Sequence, residues 1–340
     1  TWMRYKYSIK DLAISTLPFC YVLVCFPIIY IFEKDGNPYR LLRSLAWLGL
    51  INVVIRFVSG YSYSFMNRPI FVNFTNEYGN WSRDGIRRVD TGALFMIAFI
   101  YFIARAFEKK KRVMIYVIPS IIMYMFAVII NKARALYIAM IITSFIVFLL
   151  SRKTTISKAG VVFFGIMSSF LLFFSGVISS FLGSFSRTGM YGYSTITRLE
   201  ALVHFWRLYK QTFLFGLGYL DNFSNTANLF YRNAWSHYYI VDLGILSAVF
   251  KFGIASIMIV VYLYILFFKA LNNAIKVNYR FSILVTTAVV YFLTFSLVSG
   301  LYEGTNGFSA GIVLAIVSYA DSNNSYSYID ECKIEHKINF

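Results

Sequence analysis

The residues best suited to chemistry in this chain are cations. Between Gly183 and Ser236 the sequence carries Arg187, Arg198, Arg207, Lys210 and Arg232 against only Glu200 and Asp221. A guanidinium presents a planar fork of donors to oxyanions, so this stretch suits something anionic held at a surface. Arg134 stands apart, closing the short polar turn Asn131-Lys132-Ala133-Arg134 between two apolar runs. Two flanking helices would hold it rigidly, which suits a group that orients a ligand. An imidazole ordinarily titrates near working pH, so His237 is suited to take a proton from a hydroxyl or to hold that hydroxyl in place. Asp242 lies five residues on and, if embedded, requires a cationic partner such as an arginine. Glu303 opens the last apolar segment and is a second candidate base. Each has a plainer reading: interfacial anchors for the arginines, an exposed interfacial ring for His237, and a solvated basic loop for the whole stretch.

Other chemistries find no footing in the sequence. The histidines are His204, His237 and His336, with no close Cys/His/Asp spacing, so no metal site is expected. Cys20 and Cys25 share the first apolar run and Cys332 lies in the tail, which argues against a structural disulfide. No glycine-rich phosphate loop follows a strand pattern. The net charge of +17 is spread over loops and fits anionic lipid better than nucleic acid, which is not expected as a partner.

The elements that must position these groups are apolar. The chain is 59% hydrophobic with a mean hydropathy of +0.63, and several apolar runs approach or exceed about 20 residues, the length that crosses hydrocarbon as a helix. The expected fold class is an all-α polytopic membrane protein with about nine transmembrane segments in a single integral membrane domain over 1–340. The segments fall at 12–32, 41–59, 91–107, 113–130, 135–150, 160–182, 239–268, 281–300 and 308–320, the last being short. The first is not read as a signal peptide, because no small-residue cleavage site follows it. Thr rather than Met at position 1 suggests an upstream piece. The basic clusters 108–112, 152–158 and 269–280 each follow an odd-numbered span, which places them in the cytoplasm together with the polar tail 321–340. Loops 60–90, 131–134, 183–238 and 301–307 then face outward, although Arg4, Lys6 and Lys10 run against this assignment. In loop 60–90, Arg68, Arg83, Arg87 and Arg88 are nearly cancelled by Glu77, Asp84 and Asp90, whereas the large external loop 183–238 is basic.

Within that loop, 198–213 has helical periodicity. Leu199, Leu202, Val203, Trp206, Tyr209 and Phe213 share one broad face, and Glu200, His204, Arg207 and Gln211 share another. This predicts an amphipathic helix that lies in the membrane interface or roofs a cavity. Gly216 and Gly218 mark its end, and Ser236-His237-Tyr238 leads back toward the membrane.

These stretches together resemble the bacterial O-antigen ligase and polysaccharide polymerase superfamily. NKARALYIAMIITSFIVFLLSRK resembles the family's external turn with an arginine before a Leu-rich span, RLEALVHFWRLYKQTFLFGLG its arginine-bearing helix before a Gly-containing turn, and SHYYIVDLGILSAVFKFGIA its His-led entrance to the next span. The likeness runs from about 113 to 320. It departs where Tyr238 replaces a common Asn and where Ser247 or Ala248 replaces a glycine.

The resemblance implies an inverting glycosyltransferase of the bacterial cytoplasmic (inner) membrane. It acts on the outer face on polyprenyl-diphosphate-linked oligosaccharides, with no cofactor. Its implied partners are membrane lipids and a flippase and chain-length regulator of the same pathway. The diphosphate leaving group is already a stable anion, so cations can assist its departure and no protonated carboxyl is needed. Arg134 and Arg198 are then the diphosphate ligands and His237 addresses the acceptor hydroxyl. Arg187, Arg207, Arg232, Tyr238, Asp242 and Glu303 line the substrate. Polymerase is preferred to ligase, because nothing in the sequence indicates a lipid A-containing envelope. A lipid-linked oligosaccharide flippase would share the substrate but show related halves, which are not evident.

Overall fold

A computed structural model of the chain describes residues 17, 20–66, 68, 70–71, 82–83, 86–108, 112–151, 192–218, 232–233, 236–238, 240–277, 281–297 and 307–322. In order, a 3-10 turn Tyr21–Val24 leads into α1 (Cys25–Asp35), then α2 (Pro38–Met66), and a two-residue hairpin of β1 (Ser82–Arg83) and β2 (Ile86–Arg87). Next come α3 (Phe95–Glu108), α4 (Met114–Met125) with a π-helical continuation Phe126–Asn131, and α5 (Arg134–Leu150). Then follow α6 (Gly192–Lys210), a hairpin of β3 (Arg232–Asn233) and β4 (Ser236–His237), a 3-10 turn Ile240–Leu243, α7 (Ile245–Phe252), α8 (Ile254–Val277), α9 (Ser282–Ser296) and α10 (Gly307–Ser322). The chain divides into two units. The first contains Pro18–Ser151, Leu263–Phe295 and Leu301–Phe340, and the second Thr1–Leu17, Arg152–Tyr262 and Ser296–Gly300.

In the first unit, α2 starts where the sequence supplies a start. The Tyr39 N–H donates to Asn37 Oδ1 at 3.1 Å, and Pro38 occupies the first helical position, where its missing N–H has no helical partner to lose. Its 29 residues make a rod of about 44 Å. Helix α3 packs on it closely: a Cβ at Gly49 would lie 2.8 Å from Leu94 O and 2.9 Å from Ala98 Cβ. Every side chain from Phe95 to Ala104 is buried, so α3 is enclosed by protein all round. Rings from different helices fill the core, with Phe95 and Phe57 against Phe126, Phe99 between Tyr124 and Tyr291, and Phe267 on Phe292. At one end, Tyr39 Oη donates to the Glu108 carboxylate, Arg105 pairs with Glu108 at 3.0 Å, and its guanidinium lies 4.4 Å from the Tyr39 ring centre. Tyr39 also meets Phe281, and Phe281 meets Tyr319, so the starts of α2 and α9 and the ends of α3 and α10 share that end.

The span count requires correction. Among the described residues, three helices are long and apolar enough to cross a membrane: Pro38–Met66, Met114–Asn131 and Ile254–Ala274. The expected number was about nine. Leu136–Leu150, Ser282–Ser296 and Gly307–Ser322 are apolar but shorter, and α3 has 14 residues, about 21 Å. The expected span 12–32 is described from residue 20 as a 3-10 turn running into the 11-residue α1. The run 239–268 is broken at Gly244 and Gly253, while 160–182 lies outside the described residues. The physical reason is that hydropathy registers apolar surroundings without saying what supplies them. Leu284, Val285, Ala288 and Val289 of α9, and Val313, Ala315 and Ile316 of α10, are buried by other helices, and such a helix need not match bilayer thickness.

In the second unit, α6 begins at Gly192, six residues before the expected start, and packs through Ala201, Phe205 and Tyr209 on Leu217, Tyr238, Ile240 and Phe250. Of the broad apolar face expected, Tyr209 is buried and Leu202 partly so, whereas Leu199, Val203, Trp206 and Phe213 are exposed. Two segments distant in sequence are bonded through their backbones, Leu217 N to Phe250 O at 2.7 Å and Gly218 N to Lys251 O at 2.8 Å. The Lys251 side chain is buried in this join, ahead of the α8 span, and burial pushes its ammonium down from 10.5 to about 7. Below about 7 both folded and unfolded chains carry the proton, and the full penalty of burying the charge is present. Between about 7 and 10.5 the unfolded chain binds more protons, so stability rises with pH and levels off above that window. Thermal unfolding of the purified protein across this window is expected to show that rise. Lys251→Met is expected to flatten it; an unchanged slope would contradict the assignment.

Candidate functional site

In the first unit the turn that carries Arg134 is built from both sides. The last turn of α4 widens to a π-helix over Phe126–Asn131, closed by Lys132 N donating to Ala127 O at 2.9 Å. Lys132 then adopts the left-handed conformation at φ 52°, reversing the chain into α5. π-Helical turns of this kind occur often at functional sites. Asn131 is buried and bonded through both ends of its amide. Its Nδ2 donates to Val89 O at 2.9 Å, its Oδ1 accepts from Ala133 N at 3.2 Å, and its own carbonyl accepts from Arg88 Nε at 2.7 Å. The segment 88–89 therefore clamps the turn. Beneath it, a Cβ on Gly60 would lie 2.8 Å from Ile130 Cγ2 and 2.9 Å from Val89 Cγ2, so only glycine admits this packing. Arg56 extends the same end of the unit: Nε donates to Asn52 Oδ1 at 2.6 Å and Nη1 to Asp90 O at 2.9 Å. Arg134 is the first residue of α5, and Ala133 before it gives no side-chain cap. The Arg134 side chain lies outside the described ones.

The second unit brings together more of the sequence-predicted residues. Arg232 and His237 are directly paired positions across the β3–β4 hairpin. The side chains of these two lie outside the described ones. The next residue, Tyr238, is 3% exposed and anchors the hairpin to α6, its hydroxyl donating to Glu200 Oε2 at 3.3 Å and its ring 5.1 Å from that of His204. Arg198 and Arg207 are exposed on α6, and Asp242 is exposed in the 3-10 turn beyond. Arg187 and Glu303 lie outside the described residues.

Sequence reasoning missed Arg56, Arg88 and Asn131. Counting charges in loop 60–90 cancels Arg88 against nearby acids, and Arg56 reads as an anchor reaching the headgroups from the end of span 41–59, whereas in the fold Arg88 Nε and Arg56 Nη1 each donate to a backbone carbonyl. The signal that was available is an asparagine and an arginine each bordering an apolar run. Among the described residues no three His, Cys, Asp or Glu side chains gather as metal donors.

Fold and site together define a largely helical, multi-pass membrane protein that carries a clamped polar turn at the end of one membrane-length helix and a cationic helix–hairpin assembly in its second unit. No protein-family model matches the chain, and no curated protein is detectably similar to it.

Proposed function

We propose that this protein polymerises polyprenyl-diphosphate-linked oligosaccharide repeat units into a surface polysaccharide on the outer face of a bacterial cytoplasmic membrane. The observation that carries the reading is the clamp of Arg88 and Asn131 on the π-helical turn before Arg134. It is a rigid mount for a guanidinium at the end of a membrane-length helix, where the headgroup of a lipid-linked donor would lie. The backbone register that pairs position 232 with position 237 also supports the reading, since it sets an arginine and a histidine at opposed positions of one hairpin. In the proposed step the acceptor hydroxyl oxygen attacks the donor's anomeric carbon. The bond from that carbon to the diphosphate oxygen breaks, and the hydroxyl proton passes to His237. The departing polyprenyl diphosphate, whose negative charge grows as the bond lengthens, is held by arginine; the sequence resemblance names Arg134 and Arg198 for that task and His237 for the proton. No nucleotide is consumed, because the donor bond is already activated.

Deleting the gene is expected to leave single repeat units attached at the surface, seen as loss of the ladder on a glycan gel. Full-length chains accumulating on carrier lipid would instead identify a ligase, and an unchanged ladder would remove the reading.

A further inference from the structure

Helix α6 carries two apolar rows, and only one is covered. Ala201, Phe205 and Tyr209 face the core of the second unit. Leu199, Val203 and Trp206, roughly a third of a turn round the helix, are exposed. Lys210 continues this exposed row and Arg207 flanks it, both in the last turn. Phe213, Leu214 and Phe215 follow, with Phe215 at 85% exposure. A contiguous apolar patch of this kind marks a surface that meets something other than water.

The backbone fixes where the patch ends. Residues 214–218 lie against 250–253, and a Cβ on Gly253 would lie 2.3 Å from Leu214 O. The next residue, Ile254, opens the 21-residue apolar span Ile254–Ala274. The tip 213–215 therefore stands at the level where α8 begins to cross the membrane. We propose that the exposed row of α6 and the tip 213–215 seat in the lipid bilayer, with the apolar side chains at the boundary of headgroups and acyl chains and with Arg207 and Lys210 on anionic headgroups. Lysine and arginine lay their stems along apolar surface while the charge reaches the headgroup layer, which suits the ends of such a row. The seating is independent of the reaction proposed above.

The test uses the full chain reconstituted in phosphatidylcholine–phosphatidylglycerol vesicles containing a lipid with a photoactivatable diazirine near its headgroup. Adducts mapped by mass spectrometry are expected on Leu199, Val203, Trp206 and 213–215, and not on Glu200 or Gln211. Met258 and Tyr262 of α8, both exposed, serve as the lipid-facing control in the same sample. Omitting phosphatidylglycerol is expected to lower the α6 adducts severalfold while leaving those on α8. Spin labels on Leu199→Cys and Val203→Cys, with Cys20, Cys25 and Cys332 replaced by Ser, should collide with oxygen and be shielded from a nickel chelate, and a label on Glu200→Cys should do the reverse. Labelled α8 with unlabelled α6 would overturn the proposal. So would spin labels at 199 and 203 shielded from both reagents, the outcome for a face covered by a second copy of the chain.

Discussion

Replacing Arg134 by Ala is expected to collapse glycan chain length to one or a few repeat units while the protein remains inserted at its normal level. The proposed task of Arg134 is to hold charge that develops only as the donor bond breaks. Removing such a donor lowers turnover by about 10²–10³-fold. Arg134→Lys keeps the charge but loses the bidentate fork, so partial shortening is expected. Asn131→Ala keeps Arg134 itself but removes the bonds from Asn131 to Val89 and Ala133, leaving the turn less firmly held. Misplacement of an orienting group costs up to about 10²-fold, so Asn131→Ala is expected to fall between wild type and Arg134→Ala. Arg68→Ala and Arg112→Ala are comparison variants, since both positions are exposed and neither belongs to the clamp. Normal chain length in the Arg134→Ala strain would remove Arg134 from the mechanism.

Gly253→Ala is expected to produce a large loss of stability in the second unit. Gly253 sits at φ 68° and ψ −153°, a region open to glycine and almost closed to other residues. The backbone strain alone is about 1–3 kcal/mol. The added Cβ would also lie 2.3 Å from Leu214 O and 2.6 Å from Gly216 N, main-chain atoms that cannot rotate aside. The join between 214–218 and 250–253 would have to open, exposing Lys251 and Phe250 and weakening the mount of α6. Gly36→Ala is the matched control. Gly36 also has positive φ, at 60°, but its Cβ would meet nothing within 4 Å, leaving only the left-handed penalty of about 1–2 kcal/mol. Equal melting temperatures for Gly253→Ala and wild type would contradict the geometry of this join.

Several elements could be read from the sequence because their causes are local. The long helix α2 contains the expected span 41–59, and its start is written in Asn37-Pro38. The amphipathic helix in the large loop could be read from its spacing, but its orientation could not. Its sequence offers two apolar rows, and the choice of Ala201, Phe205 and Tyr209 as the inner one depends on Phe250 and Ile240, some forty residues away. The same non-local cause hides the break in 239–268. Glycines are common inside apolar spans, and nothing near Gly253 announces that Leu214 and Gly216 will lie against it. Span number failed for a related reason, since the apolar runs of α3, α9 and α10 record burial by neighbouring helices. At the candidate site, Arg134 was visible as a cation in a tight turn. The clamp that mounts it was hidden, because Arg88 lies 43 positions before its acceptor Asn131.

The most direct test of the central claim is turnover by the purified full chain. Reconstituted in lipid vesicles with a polyprenyl-diphosphate oligosaccharide, without nucleotide and in the presence of a metal chelator, it is expected to build a ladder of extended lipid-linked glycans and to release one polyprenyl diphosphate per bond formed. Folded protein that leaves the donor unextended, or that extends it only when ATP or a divalent ion is supplied, would contradict the account.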